Sequence, residues 1–148
     1  MNKLILAILV YVASITASYA NSTNNSQIDC LAKNIYFEAR NQSFMAQKAV
    51  AFVTLNRVED DKYPDDICSV VWQDSQFSWT NDGKPDTPKN LEAWSVAMSA
   101  ALYVYQNYGS VYDPTRGAVM YHTVRVHPYW CNYYTITVII GDHVFYKE

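Results

Sequence analysis

The run Cys30-Leu-Ala-Lys-Asn-Ile-Tyr-Phe-Glu-Ala-Arg40 sets the reading of this chain. Ile28, Leu31, Ala32, Ile35 and Ala39 recur at helical spacing, and at roughly 100° per residue Glu38 falls within about 20° of Leu31, on the same apolar stripe. A carboxylate in that position is partly desolvated. Desolvation disfavours the charged form, so such a Glu can hold a proton near neutral pH and deliver it as a general acid. The plainer alternative is a helix-end Glu that pairs with Arg40 or turns out to solvent.

Outward from this helix, Asn41-Gln42-Ser43 offers a stop and an N-cap, and Phe44 to Val58 repeats Val50, Ala51, Val53, Thr54, Leu55 and Val58 in a helical pattern. Tyr63-Pro64-Asp65-Asp66 reads as a turn and Ile67 to Trp72 as a short apolar piece. Gln73 to Asn90 is a long polar loop carrying Trp79, Gly83, Pro85 and Pro88. A third helix is expected over Leu91 to Tyr108, with Leu91, Trp94, Ala97, Met98, Ala101, Leu102, Tyr105 and Tyr108 as its core face. After Gly117 the pattern becomes extended: Ala118 to Tyr121, Ile136 to Ile140, a Gly141-Asp142 turn and His143 to Tyr146. Helices followed by a small antiparallel sheet make an α+β domain.

Residues 1–20 read as a secretory signal, with Lys3, an apolar run from Leu4 to Ala13, and Ser18-Tyr19-Ala20 as a small-x-small cleavage site. Failure of cleavage would leave a weak membrane anchor. Residues 21–27, rich in Asn and Ser, are expected to form a disordered leader, and 28–148 a single catalytic domain. The formal charge is −3. With no basic stripe and no glycine-rich phosphate loop, nothing in the sequence suits nucleic acid. Three cysteines in an exported chain allow one disulfide. Cys30 and Cys68 are the favoured pair, Cys131 is left over, and the spacing fits no zinc site. No cofactor or metal is expected, and the protein is expected to act as a monomer.

Five segments then align in order: Asn34-Ile-Tyr-Phe-Glu-Ala-Arg40, Ala49-Val-Ala-Phe-Val-Thr-Leu-Asn-Arg57, Ser75-Gln-Phe-Ser-Trp79, Gly117-Ala-Val-Met-Tyr-His122 and Gly141-Asp-His-Val-Phe-Tyr146. Together they resemble the SleB-type cell wall hydrolases, the catalytic domain family of the spore cortex-lytic enzymes, over roughly Cys30 to Tyr146. The resemblance implies a lysozyme-like fold acting on peptidoglycan, with Glu38 as the essential acid/base. It also implies cleavage between N-acetylmuramic acid and N-acetylglucosamine. The matched segments offer no second acid except Asp142, which turn chemistry explains, so a lytic transglycosylase is favoured over a hydrolytic muramidase or an inactive wall-binding module.

The same match makes Gln76, Ser78 and Trp79 candidates for sugar binding from the long loop, with Phe77 inclined toward packing. Tyr121 and His122 are candidates at the end of the first strand, His122 as a partner for substrate or for Glu38, and Tyr36 is a further candidate. Asn56 and Arg57 are expected to close the second helix and pair with acids, and Arg40 to make a structural ion pair. His127 and His143 read as loop and hairpin residues. The family pattern often continues Glu-Ala-Arg-Gly-Glu, whereas this chain has Asn41-Gln42. Asn can end a helix as Gly does, but loss of the acid at position 42 could shift the pH response.

Overall fold

The computed structural model describes residues 22–148; the expected signal and its cleavage site lie outside them. Helix α1 runs over 22–39. Leu31, Ala32, Ile35 and Ala39 are all buried along it, as the apolar spacing requires. Residues 22–27, expected as a disordered leader, are helical. Their polar side chains have work to do: Gln27 donates to Asp66 Oδ1 at 3.3 Å and accepts from the Cys68 amide at 3.0 Å. Those bonds sit beside the Cys30–Cys68 disulfide, which joins α1 to the segment after α2.

Ser43 caps helix α2, Phe44–Val58, by accepting from the Ala46 amide at 3.3 Å. Asp66 caps the short helix α3, Ile67–Val71, in the same way. The long loop that follows is not structureless. It holds a 3₁₀ turn, Ser78–Asn81, and is tied to α1 at two places: Trp79 Nε1 donates to Asn34 Oδ1 at 3.1 Å, and the Tyr36 hydroxyl accepts from the amides of Lys89 and Asn90 at 3.2 and 3.1 Å. Asn34 also donates to Thr54 Oγ1 at 3.2 Å, so one buried polar chain links loop, α1 and α2.

Helix α4, Leu91–Asn107, is capped by Asn90. Its core face differs from the expected one. Leu91 is 78% exposed and Leu102 37% exposed, while Ala97, Ala100, Ala101 and Val104 are buried. Small side chains let α4 lie close against α2, and Leu91, in the first turn, projects past the end of that contact.

The sheet comprises β1, Met120–Thr123, β2, Thr135–Ile140, and β3, His143–Lys147, in the order β1-β3-β2 and antiparallel throughout. β1 begins two residues later than the sequence suggests; ahead of it the Val119 amide already donates to the Tyr146 carbonyl at 2.9 Å, and Ala118 packs with Ala49, Val53 and Phe145. Thr123 pairs with His143 and Met120 with Tyr146. β3 is central, and residues His143 to Tyr146 are buried on both faces. The β2–β3 turn needs Gly141: it has φ +57, and a Cβ there would lie 2.6 Å from Gln42 Oε1. A second 3₁₀ turn, Tyr129–Tyr133, joins β1 to β2 and buries the free thiol of Cys131 against the His127 ring.

Candidate functional site

Glu38 is the penultimate residue of α1, where the helix passes the edge of the sheet, and its side chain is half-buried. Tyr121, from β1, donates its hydroxyl to Glu38 Oε2 at 3.0 Å. Burial pushes the Glu38 carboxyl above its ordinary pKa, and the Tyr121 hydrogen bond and the nearby Arg57 charge only partly offset that rise. Tyr121 is itself pushed well up by burial and by the facing carboxylate, so it stays a hydrogen-bond donor at any ordinary pH.

Two cavities meet at this carboxyl group. A cleft of about 300 Å³ is lined by Glu38, Arg57, Gln76, Ser78, Tyr121 and His122, with Ser75, Phe77, Thr123 and Val126 completing its walls. A smaller one of about 150 Å³ lies on the hairpin side and shares Glu38, with Gln42, Thr123, Asp142 and His143 on its walls. A third space, of about 560 Å³, continues from the first through Ser78 and is bounded by Tyr36, Phe37, Arg40 and Trp79 and by the loop from Asp82 to Lys89.

The candidate residues therefore separate into two groups. Gln76 and Ser78 face the Glu38 cleft with their polar groups free to meet a ligand, and Ser75, in the left-handed region at φ 62, turns the chain into it. Tyr36 and Trp79 border the adjoining groove, but their polar atoms are committed within the protein, and Trp79 stacks on Phe37 at 4.6 Å. Both are buried, Tyr36 3% and Trp79 6% exposed, so their rings pack the wall of the groove and present almost no face to a ligand. His122 lines the cleft, yet its Nδ1 meets the Thr123 carbonyl at 2.8 Å and its Nε2 the Tyr146 hydroxyl at 2.7 Å; the partner of Glu38 is Tyr121, not His122. Arg40 lies over the Tyr36 ring at 5.0 Å and has no carboxylate within ion-pair distance among the described residues.

Arg57 is the residue that the helix-end reading missed. It does not pair with acids. It is buried, with Nε donating to the Val119 carbonyl at 2.7 Å, its plane against the rings of Tyr63 and Phe77, and Nη1 without a protein partner. Its spacing from Val50, Val53 and Thr54 places it on the buried stripe of α2, the same signal that singled out Glu38. Asn56 does serve structure, donating to Asp113, Thr115 and the Ala118 carbonyl just ahead of β1. Among the described residues no group of three or more His, Cys, Asp or Glu side chains is placed to hold a metal ion.

Comparison with known proteins agrees with this architecture. The domain in a crystal structure of the catalytic domain of the Bacillus cereus SleB protein superposes with a TM-score of 0.65 at 27% identity, covering 83% of this chain and 91% of that one. The catalytic domain of the germination-specific lytic transglycosylase SleB from Bacillus anthracis gives 0.67 at 27% identity, covering 82% and 93%. Among full-length relatives, the spore cortex-lytic enzyme of Halalkalibacterium halodurans is 33% identical over 98 residues, 66% of this chain and 27% of that protein. The Bacillus cereus enzyme is 28% identical over 101 residues, 68% of this chain and 36% of that protein. The chain thus matches about a third of the length of these enzymes. The pattern of the Cell Wall Hydrolase family matches residues 41–146, from just beyond Glu38 to the end of the hairpin. With that span covering α2, the cleft loop and the whole sheet, the chain belongs to the Cell Wall Hydrolase family.

Proposed function

We propose that this protein cleaves the glycan strand of peptidoglycan between N-acetylmuramic acid and N-acetylglucosamine as a lytic transglycosylase, with Glu38 as the single acid/base. The observation that carries the reading is the state of Glu38: a half-buried carboxyl, raised in pKa, held by Tyr121 at the meeting point of two cavities. Protonated Glu38 delivers its proton to the glycosidic oxygen as the bond to C1 breaks and positive charge builds on the muramic ring. The carboxylate left behind then takes the proton of the C6 hydroxyl while that oxygen bonds to C1. A 1,6-anhydro ring forms, no water is consumed, and Glu38 ends protonated as it began.

One carboxyl group suffices for this sequence, which matters because Asp142 is engaged elsewhere. Its Oδ2 accepts from Gln42 Nε2 at 3.0 Å and faces Arg125 at 3.8 Å. Gln76 and Ser78 are the proposed hydrogen-bonding partners of the sugar beside Glu38, and Tyr36 and Trp79 border the path along which the strand continues. The name of the Bacillus anthracis neighbour, a germination-specific lytic transglycosylase, supports the chemistry, and a wall substrate fits an exported chain.

The test is digestion of purified peptidoglycan with the protein and with its Glu38→Gln variant, followed by mass spectrometry of the released muropeptides. Anhydro-muramic ends released only by the unmutated protein are expected. Reducing muramic ends would make the enzyme a hydrolase, and binding without any release would make it a wall-binding module.

A further inference from the structure

The steps above use the cleft around Glu38 and leave the charges of the adjoining groove without a role. That groove, of about 560 Å³, has the size of a small-ligand site. Five charged side chains line it: Arg40 from just past α1, and Asp82, Lys84, Asp86 and Lys89 from the loop before α4. One pair cancels, with Lys84 Nζ 3.3 Å from Asp82 Oδ2. Arg40, Lys89 and Asp86 have no oppositely charged partner within ion-pair distance among the described residues. Two cations and one carboxylate are therefore left over, in a chain whose formal net charge is −3.

The two cations are gathered by one tyrosine. The Tyr36 hydroxyl accepts from the backbone amide of Lys89 at 3.2 Å, and the Arg40 guanidinium lies over the Tyr36 ring at 5.0 Å. The Asn90 amide does most to hold that hydroxyl below its ordinary pKa, and the Arg40 and Lys89 charges add to the effect, as they must if both stand close to it. Like charges held near each other without a counter-ion repel, and an anionic ligand relieves the repulsion. Both side chains are exposed, and a guanidinium packed on a ring still has N–H groups to give a carboxylate in two parallel hydrogen bonds. With the Tyr36 and Trp79 rings almost wholly covered, charge is what this groove offers a ligand. Ser78 lines both the groove and the Glu38 cleft, so a branch of a sugar bound beside Glu38 can enter it.

Resting on the glycan reading above, we propose that this groove receives the peptide stem that branches from the muramic ring, with Arg40 and Lys89 binding its carboxylates and Asp86 its side-chain ammonium. Before cross-linking, a stem carries free carboxylates at its γ-linked glutamyl residue and at its end, together with one ammonium, the complement of two cations and one carboxylate. Four extended stem residues span about 13 Å, more than the width of about 10–12 Å of a helix with its side chains. A stem that starts on the Glu38 side of α1 thus reaches the Arg40 side.

The test uses the full chain carrying Glu38→Gln, which holds the wall without cutting it, in pelleting assays with purified peptidoglycan and with the same material after its stem carboxylates have been converted to amides. At low salt, binding to the amidated wall is expected to be about tenfold weaker, the worth of two exposed ion pairs at about two- to fivefold each, and the difference to shrink as salt is raised. In the same background Arg40→Gln and Lys89→Gln are each expected to weaken binding to the untreated wall by about two- to fivefold, and Arg40→Lys to restore part of that loss. Lys147→Gln removes a charge at the end of β3, outside the groove, and is expected to change nothing. Equal binding to the two walls, a preference that survives both groove replacements, or an equal loss from Lys147→Gln would overturn the stem site. The two readings fail separately. Glu38-dependent release of muropeptides by a protein that binds both walls alike removes the stem site alone, and Arg40-dependent preference for the untreated wall without release removes the catalytic reading alone.

Discussion

Tyr121→Phe removes one oxygen atom from the site and leaves the rest of the ring packing against Phe77, His143 and Phe145. That oxygen donates to Glu38 Oε2 at 3.0 Å. A hydrogen bond to a charged group is worth about 1.5–3 kcal/mol. Since about 1.36 kcal/mol is a tenfold change in a protonation equilibrium, its loss moves Glu38 toward the protonated form by about ten- to a hundredfold. The lower end applies, because a protonated carboxyl also keeps some of the bond. If protonated Glu38 is the acid, the alkaline limb of the kcat/KM profile for peptidoglycan moves to higher pH in the variant. Stability has to follow. Glu38 is already raised in the fold above its ordinary value of 4.5, so folding is opposed progressively as pH rises from the unfolded pKa through the folded one. Raising it further deepens that loss at pH 7 and adds nothing below about pH 4, where the group is protonated in both states. Thermal melts at the two pH values and a pH–rate profile measure both effects. An unmoved alkaline limb, or a destabilisation equal at pH 4 and pH 7, would mean that the Tyr121 hydroxyl does not tune Glu38.

Two further outcomes follow from contacts outside the carboxyl group. Replacing Cys30 and Cys68 together by Ser opens a loop of 38 residues, worth about 4 kcal/mol in the chain-entropy model and, for a domain of this size, about 10–15 °C in melting temperature; reductant should lower the melt of the unmutated protein similarly, and an unchanged melt in both experiments would show that the bond adds no stability. Gln42→Glu restores the acid common in the family pattern, but it replaces a donor to Asp142 by a like charge and adds an acid to the Glu38 cavity. The expected result is a loss of about 1 kcal/mol or more at pH 7 that fades toward pH 4, together with an alkaline limb moved upward; a pH-independent melt and profile would refute it.

The α+β order, the bounds of α2, the cap at Ser43, the Gly141 turn and the Cys30–Cys68 bond were legible because each depends on neighbours in sequence or on simple counting. Glu38 was legible for a related reason: a carboxylate on an apolar stripe conflicts with the helix that carries it. What escaped depends on partners far along the chain. Trp79 and Tyr36 are plausible sugar platforms by residue type, and only the fold shows that Asn34 and the amides of Lys89 and Asn90 take up their polar atoms. His122 and Tyr121 are adjacent in β1 and point to opposite faces, so one had to meet Glu38 and the other Tyr146, a choice set by register with β3. His143 reads as a hairpin residue because nothing local says that its strand is the central one.

Arg57 shows why the Glu38 carboxyl can remain an acid in a site that also buries a cation. A guanidinium in direct contact with a carboxylate lowers its pKa by about one to three units, enough to cancel the effect of burial and leave no proton to donate. Arg57 lines the same cleft as Glu38 but forms no ion pair with it. Its guanidinium is instead directed along the start of β1, with Nε on the Val119 carbonyl and Nη2 toward Met120 Sδ at 3.6 Å, and is held between the Tyr63 and Phe77 rings. Its charge consequently ranks behind burial and the Tyr121 bond among the influences on Glu38. In the proposed mechanism the arginine is near enough to limit the cost of the carboxylate that forms after proton transfer and too far to prevent the transfer. The backbone of β1 sets that separation, so the segment that brings Tyr121 to Glu38 also holds Arg57 away from it.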